Sequence, residues 1–213
     1  MLVDSRRGLL VSAGLLAGGV LVGVLVALPA TRPAVQGVDD AVWDAAGAVE
    51  NRPTTFVADA LSWLGSPYVN WPLRALALIL LAWRRHWVRL AAFALAVVTS
   101  ELLIGPVKAL YDRPRPPGSL IETSAASFPS GHAVASAVTA VGLVLVLAEP
   151  GRSRWRWEVN AVIFTSIMAL SRVYLRAHWL TDTVAGALLG AGVALGWPAL
   201  LTLVRDRRSV RNT

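Results

Sequence analysis

Residues 8–29 read GLLVSAGLLAGGVLVGVLVALP, an apolar run with no charged residue. At a rise of about 1.5 Å per residue the run reaches about 33 Å as a helix, enough to cross the ~30 Å hydrocarbon core of a bilayer. Arg6 and Arg7 precede it as in a signal peptide. The apolar stretch is longer than the ~7–15 residues of such a signal, and Leu28-Pro29-Ala30 is a poor A-x-A cleavage site. The expectation is a retained anchor.

Five further apolar segments follow, at about 73–83, 88–107, 131–148, 159–174 and 180–204. The second is the least regular, because Pro67 and Pro72 interrupt it and 56–65 read as amphipathic. The fold expected is therefore all-α, an integral membrane bundle of about six transmembrane helices forming one domain over 1–213. In that division residues 1–30 form the first span, 31–70 an outer segment, 71–204 the core and 205–213 a cytoplasmic tail. Val38, Val42, Ala45 and Val49 recur at helical spacing, which predicts a short surface helix within 31–55. Tryptophans near span ends (Trp71, Trp83, Trp87, Trp157, Trp179) fit an interfacial belt.

Composition agrees. The 213 residues are 55% hydrophobic and only 15% charged, with mean hydropathy +0.58, against roughly a quarter charged in soluble domains. No cysteine is present, which excludes disulfides, thiolate metal sites and a cysteine nucleophile. The net charge of +7 comes in short arginine clusters between apolar runs and not as a nucleic-acid-binding module. Arg6 and Arg7; Arg84, Arg85 and Arg89; Arg152, Arg154 and Arg156; and Arg205, Arg207, Arg208 and Arg211 hold 12 of the 20 basic residues. With six spans they all fall on one side, so the positive-inside rule predicts a multi-pass cell-membrane protein with both termini cytoplasmic.

Three polar segments then fall on the opposite, extracytoplasmic side: KALYDRPRP at 108–116, SFPSGH at 127–132 and SRVYLRAHWLTD at 171–182. Their residues suit a phosphoryl group. Lys108, Arg115 and Arg172 supply charge and donors. Ser130 is a natural N-cap, and the N–H groups of Gly131 and His132 open a helix whose N-terminus attracts anions. His178 and Asp182 share a helix face, so Asp182 can fix the tautomer of His178 and leave its other nitrogen to attack phosphorus. His132 suits the general acid that protonates the leaving oxygen and then the base that activates water.

These segments resemble the signature of the type 2 phosphatidic acid phosphatase (PAP2) superfamily, K-x6-RP, PSGH and SR-x5-H-x3-D. Here they are Lys108 with Arg115-Pro116, then Pro129-Ser130-Gly131-His132, then Ser171-Arg172 with His178 and Asp182. The six-span layout is similar to the membrane branch of that superfamily, and the resemblance covers about residues 70–200. It implies a hydrolase that needs no metal or other cofactor and passes through a phosphohistidine. The residue matching His178 is then the nucleophile and the one matching His132 the acid/base. Lys108, Arg115, Ser130, Gly131 and Arg172 match the residues that hold the phosphate. The implied partner is a phosphorylated lipid in the bilayer. Polyprenyl diphosphate is favoured, beside phosphatidylglycerophosphate and phosphatidate.

Several residues stay open. Arg113-Pro114 is a second Arg-Pro, and Arg113 could touch substrate. Glu101, inside the third span, is either the partner of a buried base (Arg74 or Lys108) or a residue that tunes the site. Arg176 could meet a second phosphate or lipid headgroups. His86 reads as a solvated turn residue. The pairs Gly14/Gly18, Gly186/Gly190 and Gly192/Gly196 have the spacing of close helix packing. Two other readings compete. A vanadate-dependent haloperoxidase would share the pocket but is soluble. A non-enzymatic phospholipid-binding or translocating protein would use the basic cluster without needing either histidine.

Overall fold

The computed structural model describes residues 3–123 and 126–211, with side chains through Arg207. Of the basic cluster at the C-terminus, the side chains of Arg208 and Arg211 lie outside the described residues, as do residues 212–213 of the expected tail. Among the described residues there are eight helices: α1 (Ser5–Ala27), α2 (Arg32–Ala48), α3 (Arg52–Leu64), α4 (Pro67–Trp83), α5 (Trp87–Tyr111), α6 (Gly131–Leu147), α7 (Arg152–Tyr174) and α8 (Leu180–Arg211). The protein is an all-α membrane bundle.

By length and hydropathy α1, α5 and α8 can each cross a membrane, and α6 is a shorter apolar helix. At 17 residues, α4 and α6 reach about 26 Å, slightly short of a full hydrocarbon core. In α7 the charges Arg152, Arg154, Arg156 and Glu158 fill the first two turns and confine its apolar part to the second half. Pro67 starts α4 at a position where its missing N–H costs nothing. Pro72 is accommodated inside the helix, so α4 begins earlier than its clean apolar run suggests. Leu10 and Leu21 of α1, Leu76 and Ile79 of α4, Leu102 of α5 and Val162 of α7 are exposed, as expected of side chains that meet lipid.

The outer segment is helical. Asp4, Asn51 and Ser130 cap α1, α3 and α6 by accepting from the backbone N–H three residues on. The main core joins Ala77 and Leu81 of α4, Phe93 and Val97 of α5, Val134, Val138 and Val146 of α6, and Val193 of α8.

Helix α8 is central because its glycines let two neighbours approach. A Cβ on Gly186 would stand 2.7 Å from the Ser130 carbonyl oxygen, and one on Gly190 2.6 Å from that of Val134. Gly192 and Gly196 meet Leu16 and Ser12 of α1, and the Ser12 hydroxyl donates to the Gly192 carbonyl at 2.7 Å. The first glycine pair behaves differently. Nothing lies within 4 Å of a Cβ on Gly14, and the tight contacts of α1 fall at Gly8, Gly19 and Gly23.

The two ends of the bundle differ. At one end Arg89 at the start of α5 pairs with Glu149 in the α6–α7 turn at 2.6 Å, and Val3 and Asp4 adjoin Gly151 and Arg154. The opposite end holds the end of α5, the starts of α6 and α8, and the end of α7. Because α6 and α8 touch backbone to backbone, Gly190→Val is expected to cost at least the ~1–3 kcal/mol of an overpacked core. Thermal unfolding in detergent would show a lowered Tm, while Gly14→Val would leave Tm near wild type.

Candidate active site

Local structure places each motif side chain. Helix α7 ends in a Schellman turn: Arg176 N–H donates to Val173 O at 2.9 Å and Ala177 N–H to Arg172 O at 3.1 Å. Arg176 takes the left-handed position (φ 53°) usually given to glycine. The turn reverses the chain so that His178 comes back toward Arg172. Helix α8 then starts at Leu180, and Asp182, its third residue, accepts from the backbone N–H of Trp179 at 2.9 Å. This is the back-reaching half of a capping box. Ser130 N–H donates to the Asp182 carbonyl at 3.0 Å, which ties the first turn of α6 to that of α8.

His178 is buried. Its Nδ1 lies 3.6 Å from Asp182 Oδ2, an electrostatic contact longer than a hydrogen bond. Its Nε2 lies 3.3 Å from Arg115 Nη1. Guanidinium can only donate, so Nε2 is the acceptor and Nδ1 carries the proton that faces Asp182. Burial pushes the His178 imidazole down to about 4; Asp182 opposes the shift, and the charges of Arg115 and Arg172 add to it. Burial likewise lowers Arg115, partly offset by Asp182.

The remaining phosphate-site candidates gather around this pair. Arg115 Nη1 donates to Ala177 O at 2.6 Å, and Lys108 Nζ donates to Ala126 O at 2.5 Å, within electrostatic reach of Arg115 and Asp182. His132 has Arg172, His178 and Arg115 as charged neighbours. Ser130 is buried and its hydroxyl caps Ala133 N–H at 3.4 Å, while a Cβ on Gly131 would meet nothing within 4 Å. Lys108, Arg115, Arg172, His132 and His178 thus form one basic cluster at the N-terminus of α6. Among the described residues no three His, Asp or Glu side chains are grouped to hold a metal.

Three residues left open by the sequence take other places. Arg113 sits behind the cluster, 8% exposed. Its Nη1 donates to Asp182 Oδ1 at 2.7 Å and to Thr181 Oγ1 at 2.7 Å, and its Nη2 to Asp39 Oδ2 at 2.7 Å and Gln36 Oε1 at 3.0 Å. Arg113 therefore spends its donors on protein acceptors and holds Asp182. Arg176 pairs with Glu50 at 2.9 Å and lies over the Trp43 ring at 5.0 Å. Glu101 pairs with Arg74 at 2.7 Å, not with Lys108.

The structure also adds residues outside the motifs. Asp39, Trp43 and Gly47 lie on one face of α2, and Glu50 follows just beyond its end. Asp39 accepts from Thr181 N–H at 3.0 Å, and Trp43 Nε1 donates to Pro117 O at 3.2 Å. A Cβ on Gly47 would collide with Arg176, so α2 is a strap across the first and third motif loops. On the other side Ser62, in the last turn of α3, accepts from Arg172 through its hydroxyl. Its carbonyl oxygen lies 3.2 Å from His132 Nε2. Gly65 lies against the His132 ring, where a Cβ would stand 2.8 Å from Cδ2. The one advance signal was the helical spacing of Val38, Val42, Ala45 and Val49; a carbonyl contact such as that of Ser62 leaves no trace in sequence.

The sequence profile of the PAP2 superfamily matches residues 89–206. The chain is 34% identical over 142 residues to an undecaprenyl-diphosphatase of Sulfolobus acidocaldarius, covering 63% of this chain and 64% of that relative. It is 30% identical over 163 residues to phosphatidylglycerophosphatase B of Bacillus subtilis, covering 74% and 80%. A decaprenylphosphoryl-5-phosphoribose phosphatase of Mycobacterium tuberculosis is 32% identical over 154 residues, covering 68% and 80%. Thus the chain spans just under two thirds of the archaeal relative and four fifths of the two bacterial ones. The crystal structure of a transmembrane PAP2 type phosphatidylglycerolphosphate phosphatase from B. subtilis superposes with a TM-score of 0.73 at 25% identity, over 92% of this chain and 96% of that one. Aquifex aeolicus LpxE shares the fold, with a TM-score of 0.58 at 20% identity over 71% and 89%.

Arg113 pairs with two buried carboxylates, so Arg113→Ala is expected to cost about 3–5 kcal/mol, the range for breaking a buried ion pair. A thermal unfolding series should order Arg113→Ala below Asp39→Asn, and both below wild type.

Proposed function

The chain belongs to the PAP2 superfamily, and from that premise we propose that it is a metal-independent lipid phosphatase acting through a phosphohistidine. One observation carries the reading: a buried histidine has one nitrogen turned to a buried aspartate and the other to the arginine of a basic cluster. The names of the relatives, phosphatases and a diphosphatase of lipids, support the same class.

In the proposed reaction the phosphoryl oxygens displace the backbone and hydroxyl acceptors now held by Lys108, Arg115 and Arg172. The N–H groups opening α6 add their dipole. The lone pair of His178 Nε2 attacks phosphorus, a P–N bond forms and the P–O bond to the lipid breaks. His132 gives its proton to the departing oxygen. His178 becomes cationic as it attacks, and Asp182, held ionised by Arg113, stabilises that charge. Water then attacks phosphorus, His132 takes the water's proton, the P–N bond breaks and inorganic phosphate leaves. Polyprenyl diphosphate, phosphatidylglycerophosphate and phosphatidate all present a terminal phosphoryl group that this pocket can hold.

The same reading places the basic cluster on the extracytoplasmic face and both termini in the cytoplasm. The support is the charge of the other end, where Arg6, Arg7, Arg84, Arg85, Arg89, Arg152, Arg154 and Arg156 adjoin the helix ends.

Four experiments test this. Purified protein should release phosphate from the lipids with EDTA present, and His178→Ala should abolish release. His132→Ala should lower kcat about 10²–10⁴-fold, the usual span of general acid–base catalysis; a fully active His178→Ala enzyme would sink the mechanism. The nucleophile must be unprotonated and His178 lies near 4, so the acid limb of kcat/KM should fall well below the ~6.5 of free histidine. The chain has no cysteine, so single cysteines report topology cleanly. In intact cells a membrane-impermeant maleimide should label Glu122→Cys but not Arg152→Cys, and the reverse pattern would invert the orientation.

A further inference from the structure

A cavity of about 190 Å³ lies beside His132 between α4 and α5. Trp71, Arg74, Glu101, Ile104, Gly131 and His132 are among the residues that line it. At about 30 Å³ per water molecule it holds roughly six waters, or a small polar group of similar bulk. We propose that this cavity receives the departing part of the lipid, and that the Arg74–Glu101 pair filters that part by charge. An uncharged, hydroxyl- or ester-bearing linkage is admitted; a second phosphate is disfavoured.

The inference rests on the phosphatase reading, in which His132 protonates the leaving oxygen. The group attached to that oxygen must then lie on the His132 side of the phosphoryl site, and this cavity adjoins both His132 and Gly131. Its outer wall faces the bilayer: Trp71 is 48% exposed and the Glu101 side chain 38%, with Leu73, Leu102 and Leu103 exposed nearby. A lipid whose phosphate reaches Arg115 can leave its chains in the membrane through this wall.

The charge argument concerns Arg74. It is 1% exposed, and each of its three nitrogens donates: Nε to Thr139 Oγ1 at 2.8 Å, Nη1 to Glu101 Oε1 at 2.7 Å and Nη2 to Ala135 O at 3.3 Å. Thr139 in turn donates to Asn70 Oδ1 at 2.9 Å, and Asn70 Nδ2 donates to Ser66 O at 3.2 Å. Arg74 and Glu101 thus belong to an interlocked polar chain of zero net charge on one side of the cavity. The surplus positive charge of the site sits on the other side of His132, at Lys108, Arg115 and Arg172. A second phosphate in the cavity would lie beside the Glu101 carboxylate, in a medium that screens it poorly, facing a cation already neutralised. A glycerol oxygen or ester carbonyl meets no such repulsion, and a hydroxyl can donate to Glu101. The filter therefore opposes the polyprenyl diphosphate favoured from sequence.

The test compares kcat/KM for phosphatidate and undecaprenyl diphosphate in matched detergent micelles, with para-nitrophenyl phosphate as a small ester that does not fill the cavity. Wild type should favour phosphatidate at least tenfold. Glu101→Gln leaves Arg74 uncompensated and should shift the ratio toward the diphosphate by about tenfold. A wild-type preference for the diphosphate overturns the filter, as does an unchanged ratio in a Glu101→Gln protein of normal Tm. If that variant does not fold, the wild-type ratio decides alone. Release from none of the three compounds would sink the phosphatase reading and the filter with it, whereas turnover with the wrong ratio would sink only the filter.

Discussion

Everything at the motif end of the bundle depends on one buried arrangement, the guanidinium of Arg113 between the carboxylates of Asp39 and Asp182. Asp182 is 0% exposed and must stay ionised to face His178, so it needs a cation that does not titrate. Arginine meets that need, and its planar fork can hold two carboxylates at once. Ser127 and the Trp179 N–H complete the shell of Asp182, and Thr181 completes that of Asp39. With two carboxylates around one guanidinium, the local excess is negative. That excess stands behind His178, opposite the cationic cluster in front of it. The imidazole therefore sits on a field gradient that favours a proton at Nδ1 and an open lone pair at Nε2.

The arrangement also explains why an outer helix is needed. Asp39 belongs to α2, Arg113 to the loop after α5, and Asp182 to α8; none of these elements brings the others together by chain connectivity. Through Asp39, Trp43 and Glu50, α2 holds the loop at 113–118 and the turn at 176–181 against each other. The turn is conformationally costly, since Arg176 has positive φ without being glycine. Its Trp43 and Glu50 contacts offset that cost. A strap of this kind lets the loops of a phosphate pocket be polar and irregular while the bundle beneath them supplies the rigidity.

What was legible in the sequence was what is encoded locally. Apolar runs announce helices, Ser130 announces a helix start, and the spacing of His178 and Asp182 announces that they meet, although His178 lies in the turn before α8 and not on a helix face shared with Asp182. The role of Arg113 was not legible, because its partners lie 74 and 69 residues away. The neighbouring Arg115 looks equivalent by residue type. Pro114 and Pro116 favour polyproline-like geometry with three residues per turn, which sends residues two apart to different sides, and here one arginine faces the pocket and the other its support. The glycines show a similar limit. Gly14/Gly18 and Gly186/Gly190 have the same spacing, but only the second pair is pressed against another backbone, since spacing fixes a helix face and not what that face meets. Ser62 and Gly65 were invisible for a third reason: one acts partly through its carbonyl and the other through the absence of a side chain.

The neutral acceptors around the cluster show how so much positive charge can sit at the edge of a membrane protein. Lys108 donates to the Ala126 carbonyl, Arg115 to that of Ala177, and Arg172 to the Ser62 hydroxyl. Each contact orients a cation without neutralising it. A phosphoryl group offers oxygens that carry charge, and bonds from cations to such oxygens are about twice as strong as those to neutral acceptors. In the proposed reaction, exchange of acceptors therefore favours the substrate. In that proposal a phosphate brings its own negative charge to the cluster. A permanent carboxylate inside the cluster would have stabilised the empty pocket and competed with the phosphate for the same donors. The protein instead keeps its buried carboxylates, Asp182 and Asp39, behind His178 on Arg113, and the more exposed Glu101 beyond His132 on Arg74.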